Sequence, residues 1–189
     1  MPFPYYRRLS ARRQKIYRRS DAIGEVEIPD AQGLRPLVAE LRTALEAEDR
    51  RAVERVSQSL ALGICERLRV PRIGVKVLAA RPSGHWGELH GLYDPERVPP
   101  LVTLWMRTAA QRRVVAFRSF LRTLVHELLH HLDYEYFRLE ETFHTEGFFR
   151  RESSVARQLL GEPATAAPPE GGPGRSPARR RPASGTGRV

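Results

Sequence analysis

The stretch SFLRTLVHELLHHLDY, residues 119–134, determines how the rest of the chain is interpreted. It contains no Gly or Pro and is rich in Leu, so its composition predicts a helix. On a helical wheel His126, His130 and Asp133 fall on one face. The roughly opposite face is an apolar arc formed by Leu121, Leu124, Val125, Leu128 and Leu132. The pattern therefore predicts a helix that packs with one side and presents imidazoles on the other.

Within this helix His126, Glu127 and His130 form the pattern H-E-x-x-H. The two histidines lie one turn apart, so both can direct a neutral imidazole nitrogen at one zinc ion. Glu127 lies at the edge of the same face, where its carboxylate is placed to take a proton from a metal-activated water. This arrangement is typical of zinc metallopeptidases. A polar helix face that simply meets solvent is the alternative interpretation of the same five residues.

A catalytic zinc ion takes three protein ligands, so a further His, Glu or Asp is needed downstream. His144, Glu140 and Glu141 are the candidates for this third position. Asp133 lies about one turn beyond His130, where its carboxylate is placed to orient a ligand imidazole through the second ring nitrogen. The alternative for Asp133 is an exposed acidic residue of the helix.

The motif and the segment HTEGF, residues 144–148, resemble those of the SprT-like metallopeptidases and the wider minigluzincin group of zincins. The resemblance covers residues 101–160 and extends less clearly back to residue 34. It implies a zincin-like domain with His126, His130 and His144 as zinc ligands and Glu127 as the general base. Thr145 stands where the family has Gly, and the Cys-rich zinc ribbon of some SprT-like proteins is absent.

Composition limits the class of protein. A chain of 189 residues is long enough for one domain with its own core plus tails. Cys65 is the single cysteine, which excludes an intrachain disulfide and agrees with a reducing compartment. The N-terminus lacks the apolar region of a signal peptide, and no apolar run approaches the length of a membrane span. These features predict a soluble cytoplasmic protein without a membrane partner.

The formal charge of +10 is concentrated at the two ends. Residues 1–20 hold seven Arg or Lys and no acid, and residues 161–189 hold five Arg and two Glu. Basic termini of this kind are typical of nucleic-acid contact, although a codon bias toward Arg explains the same composition. The alternative function is therefore a basic nucleic-acid-associated protein whose zinc site is structural or inactive.

The remaining patterns predict an α+β fold with three regions. Residues 1–33 form a basic segment whose few apolar residues allow it to remain mobile. Residues 34–160 form the metallopeptidase domain, with N-terminal helices, a small mixed three-stranded sheet, the H-E-x-x-H helix and a C-terminal helix. Residues 161–189 are rich in Pro, Gly and Arg and are predicted to be disordered.

Within the domain, Asp49 is predicted to cap a helix that ends before Pro71. The three strands are predicted from residue 72, over Gly87–Tyr93 and over Leu101–Met106.

The resemblance also implies that an edge strand beside the metal helix receives an extended substrate as an added strand. Either Gly87–Tyr93 or Leu101–Met106 fits this role. His85 precedes the first of these strands and His90 lies within it, and both are more typical of surface histidines than of substrate contacts. Tyr134 and Tyr136 are candidates for stabilising the oxyanion. Trp86 and Trp105 are expected in the core or the wall of the cleft.

The sequence thus predicts a single-domain zinc metallopeptidase that hydrolyses peptide bonds in a protein or peptide substrate. Glu127 would act first as general base and then as proton donor to the leaving amine.

Overall fold

The computed structural model describes residues 3–84 and 87–163. Over these residues the fold is α+β, with five α-helices and a three-stranded mixed sheet. Two short 3-10 helices and a small two-stranded hairpin complete it. The helices are α1 (Ala11–Ala22), α2 (Arg35–Glu46), α3 (Arg50–Leu68), α4 (Phe117–Glu135) and α5 (Glu146–Leu160), and the strands are β1 (Gly74–Ala80), β2 (Ser83–Gly84), β3 (Gly87–Glu88), β4 (Gly91–Asp94) and β5 (Leu101–Arg107).

Local capping chemistry sets the limits of α3. The Asp49 side chain accepts hydrogen bonds from the backbone N–H groups of Arg51 and Ala52, both at 3.0 Å, as predicted for an N-cap. The helix ends at Leu68, where Arg69 adopts a left-handed conformation with φ 54°. The chain then turns into β1 after Pro71.

The sheet has the order β1-β5-β4, with β1 parallel and β4 antiparallel to β5. Val77 faces Leu104 across the parallel pair, and Tyr93 faces Val102 across the antiparallel pair. Strand β5 is therefore the central strand. Strand β4 is an edge strand, and it lies against α4.

The prediction of one continuous strand over Gly87–Tyr93 is wrong. Its first part is β3, which pairs with β2 in the separate hairpin, and its second part is β4. Beyond β3, the N–H of Leu89 still donates to the carbonyl of Pro82 at 3.2 Å. The chain therefore stays hydrogen-bonded within the hairpin up to Leu89 and enters the main sheet at Gly91. His85 and Trp86 lie outside the described residues.

The main hydrophobic core lies between α2, α3, α4, α5 and the sheet. The apolar arc predicted for α4 is part of it, since Leu121, Leu124, Val125, Leu128 and Leu132 are all buried. A second, smaller cluster joins Ile16 and Tyr17 of α1 to the connection between α4 and α5. The basic N-terminal segment thus includes a helix that packs on the domain.

The predicted C-terminal tail lies outside the described residues from residue 164 onward. In the part of the chain that the structure describes, no helix has both the length and the apolar character needed to cross a membrane.

Candidate metal centre

The side chains of three histidines lie close together. His126 and His130 project from successive turns of α4, and His144 lies in the connection just before α5. The Nε2 atom of His144 is 2.9 Å from that of His126 and 3.2 Å from that of His130. With zinc–nitrogen bonds of about 2.0–2.1 Å, tetrahedral geometry places two nitrogen ligands about 3.3 Å apart. The spacing of the three imidazoles therefore fits one metal ion.

His144 directly precedes the N-cap of α5, so the first turn of this helix fixes its position. Thr145 is the N-cap of α5, and its hydroxyl accepts the N–H of Phe148 at 2.9 Å. The Phe148 ring is fully buried beneath the three imidazoles, with ring centroids 4.9 to 5.3 Å from theirs. Thr145 thus starts the helix that supports the third imidazole.

His126 is oriented by a carboxylate on α5. Its Nδ1 lies 2.9 Å from Oε2 of Glu152, and Arg122 donates from Nε and Nη2 to the other oxygen at 3.0 and 2.6 Å. Glu152 is only 5% exposed. Burial would raise its pKa, but the hydrogen bonds from His126 and Arg122 outweigh burial and hold the pKa below its usual range. The anionic carboxylate therefore accepts the Nδ1–H of His126.

His130 is oriented by a longer chain of hydrogen bonds. Its Nδ1 lies 2.7 Å from the hydroxyl of Thr142, which donates to Oδ2 of Asp133 at 2.7 Å. Asp133 in turn accepts from Nη2 of Arg151 at 2.8 Å, and both of these side chains are fully buried. Asp133 is therefore neither an exposed helix acid nor in direct contact with an imidazole. Thr142 lies between Asp133 and the ring.

These partners determine which ring nitrogens carry protons. Glu152 accepts the Nδ1–H of His126, and Thr142 accepts the Nδ1–H of His130. The free lone pair of each of these two rings therefore lies on Nε2, on the side of His144. Burial lowers the pKa of His130 to about 3 and also lowers the pKa of His144, so both rings are neutral at pH 7. Metal-binding histidines commonly have this arrangement, in which one ring nitrogen is hydrogen-bonded and the other is free to bind the ion.

Glu127 lies beside the histidines and is almost withdrawn from solvent, at 6% exposure. Burial raises its pKa to about 7, against the opposing effects of His126 and a backbone hydrogen bond from Tyr93. Gly91 of β4 packs directly on this carboxylate, and a Cβ atom at Gly91 would overlap it. The edge strand and α4 together therefore fix Glu127 at the cleft.

The cleft has a volume of about 580 Å³ and runs between β4 and the histidines. His90 and Tyr134 are among its lining residues, whereas Tyr136 is exposed and Trp105 is a buried residue of β5. Of the two predicted oxyanion candidates, Tyr134 is thus the one beside the cleft.

Glu140 and Glu141, the competing candidates for the third ligand position, do not join the histidines. Each is paired with an arginine of α1, Glu140 with Arg12 and Glu141 with Arg13, at 2.7 Å in both cases. Among the residues that the structure describes, the three histidines form the group that could hold a metal ion.

Sequence reasoning missed three residues of this centre: Thr142, Arg151 and Glu152. A signal for two of them exists in α5. Phe148, Glu152, Val155 and Leu159 follow the i, i+4, i+7, i+11 spacing of a buried stripe, so Glu152 and the adjacent Arg151 interrupt an apolar face. Charges in such positions require partners, which here are His126 and Asp133.

Comparisons with protein-family models, curated proteins and solved structures found no match for this chain.

Proposed function

We propose that this chain is a zinc metallopeptidase with a zincin-like, SprT-type domain. The observation that carries the proposal is the convergence of three Nε2 atoms beside a buried glutamate, all in the lining of one cleft. The ligands are His126, His130 and His144, and Glu127 is the general base. The order of elements in the α+β domain, with the motif helix followed by the His144 segment and a last helix, agrees with the family resemblance.

The choice of zinc follows from the donor set. Imidazole nitrogens suit zinc, and catalytic zinc sites often use three protein ligands with one open position. When bound, zinc supplies Lewis-acid polarisation of the scissile carbonyl and lowers the pKa of a water molecule to roughly 7.

Glu127 performs the proton transfers. A carboxylate whose pKa lies near 7 is poised to accept a proton at neutral pH and to return it in a later step. In the proposed reaction Glu127 takes a proton from the attacking water and then gives it to the amine that leaves. Its fixed position between α4 and Gly91 keeps the carboxylate oxygen at the cleft during both transfers.

Strand β4 is the element that would bind the substrate backbone. Strand β5 is paired on both sides, so it has no free edge, whereas β4 is paired with β5 alone in the three-stranded sheet. An extended peptide added to β4 would lie along the cleft wall that contains His90 and Tyr93. Backbone hydrogen bonds hold such a peptide largely independently of its side chains.

The test compares wild type with Glu127→Gln at equal zinc occupancy on an unstructured protein such as casein. The substitution keeps the shape of the side chain but removes the base, so hydrolysis should fall by about 10² to 10⁴ while zinc remains bound. Glu54→Gln is the matched control, because the Glu54 carboxylate accepts from the N–H of Val77 far from the histidines.

Hydrolysis that survives Glu127→Gln unchanged would refute this mechanism. Bound zinc without cleavage of any substrate would instead favour a structural zinc site.

A further inference from the structure

The segment that carries His144 takes its position from other parts of the molecule. Residues 136–145 connect α4 to α5 and contain no helix or strand. Connections of this kind are more mobile than the elements they join, unless packing and hydrogen bonds restrain them. A metal ligand on such a connection therefore needs restraining partners.

Its apolar partners come from the N-terminal segment. Leu139 and Phe143 are buried with Ile16 and Tyr17 of α1 in the smaller hydrophobic cluster. The rings of Tyr17 and Phe143 have centroids 6.0 Å apart. Among the described residues, the main core includes none from 3–23. The N-terminal segment thus packs on the His144 connection and α5 more than on the centre of the domain.

Polar contacts reach both sides of His144. The hydroxyl of Tyr5 donates to the backbone carbonyl of His144 itself at 2.9 Å. On the other side, the N–H of Gly147 donates to the carboxylate of Asp21 at 3.0 Å. Gly147 lies so close to the end of α1 that a Cβ atom would overlap the carbonyl oxygens of Ser20 and Asp21.

The C-terminal end of α1 also contacts Arg151, which belongs to the hydrogen-bond chain that orients His130. Arg151 donates through Nη1 to the carbonyls of Ser20 and Ile23 at 2.7 and 2.6 Å, and through Nη2 to Asp133 at 2.8 Å. A cation at the C-terminus of a helix is favoured by the helix dipole. Arg151 therefore connects α1 to the carboxylate that supports the second metal ligand.

We propose that residues 3–23, the N-terminal clamp, are part of the metal centre and position His144 for the ion. Tyr5 and Asp21 are positioning residues, because they act on the backbone around His144 and touch no ligand nitrogen. The inference rests on the proposed metal site. It adds that metal affinity depends on residues more than 120 positions before His144 in the chain.

The experiment measures zinc affinity of the full chain by competition with a chromophoric chelator. Tyr5→Phe keeps the ring but removes the donor to His144, and Asp21→Ala removes the acceptor of the Gly147 N–H. Loss of one such hydrogen bond should weaken zinc binding about 3- to 10-fold. Tyr6→Phe is the matched control, since the Tyr6 hydroxyl contacts Arg18 within the clamp and not the His144 connection. The thermal unfolding midpoint of each metal-free protein is measured in parallel.

The proposal is supported if Tyr5→Phe and Asp21→Ala weaken zinc binding, Tyr6→Phe does not, and the metal-free midpoint of Tyr5→Phe equals that of wild type. It is overturned if zinc affinity is the same in Tyr5→Phe and wild type, or if Tyr6→Phe weakens binding equally. If wild type binds zinc and the variants bind it with the same affinity, this inference alone is refuted. A wild-type protein that binds no zinc would remove the proposed function as well.

Discussion

Glu152 offers the sharpest test of how the metal centre is built, because it contacts a proposed ligand and is not itself one. Glu152→Gln keeps the size of the side chain and replaces one oxygen by an NH₂ group. That group must face either His126 or Arg122, both of which donate to the carboxylate in the folded protein. If it faces His126, it favours the tautomer with the proton on Nε2, so that this nitrogen has no lone pair for the metal ion.

The expected magnitude is a 10- to 100-fold loss of zinc affinity, the usual effect of losing a partner of a metal-bound imidazole. This corresponds to about 1.4 to 2.7 kcal/mol of binding free energy. The stability of the metal-free protein should change much less. Arg122 is 57% exposed, so solvent screens its ion pair with Glu152, and a neutral amide costs less to bury than a carboxylate.

The assay is chelator competition at pH 7 on wild type, Glu152→Gln and the remote control Glu54→Gln. Denaturant unfolding of the metal-free proteins shows whether the substitution has damaged the fold. An affinity for Glu152→Gln within about twofold of wild type would contradict the assignment of Glu152 to the orientation of His126, given the typical loss for such partners.

Three further predictions concern other parts of the centre. Gly91→Ala should displace the Glu127 carboxylate and reduce peptide hydrolysis at least about 10²-fold, with zinc content by metal analysis unchanged. Arg151→Met should lower the free energy of unfolding by about 3 to 5 kcal/mol in urea titrations, because it leaves the Asp133 carboxyl group buried without its cation. Burial raises the folded-state pKa of Glu127 to about 7, above an unfolded value of about 4.3, so the metal-free protein loses stability as pH rises between these values. Glu127→Gln should remove this loss. The free energy of unfolding of the metal-free variant should therefore exceed that of wild type by about 4 kcal/mol at pH 8, and the two should be equal at pH 4.

Features that depend on local sequence were predicted well. The uninterrupted apolar periodicity of residues 119–134 corresponds to α4, and Asp49 caps α3 as its position before the periodic run indicated. The β-branched run after Arg72 is β1. In each case the determining interactions lie within one turn of helix or a few residues of strand, so the residues themselves carry the information.

Features that depend on how elements pack were not predictable in the same way. Choosing β4 over β5 as the edge strand requires the strand order, which no single strand encodes. The division of Gly87–Tyr93 between two sheets depends on a competing partner, β2. The pairing of Glu152 with His126 joins residues 26 positions apart on two helices, and only the packing of α5 against α4 brings them together.

The buried charges of α5 are better explained by the site than by stability. A buried ion pair such as Arg151–Asp133 loses much of its Coulomb attraction to desolvation, and apolar residues of similar volume often serve stability equally well. Arg151 and Glu152 nevertheless interrupt the apolar face of α5, and each supports a different imidazole. Glu152 is hydrogen-bonded directly to His126. Arg151 is connected to His130 by hydrogen bonds through Asp133 and Thr142. One face of one helix thus packs the core and holds two rings in the tautomer that leaves both Nε2 lone pairs free for a metal ion.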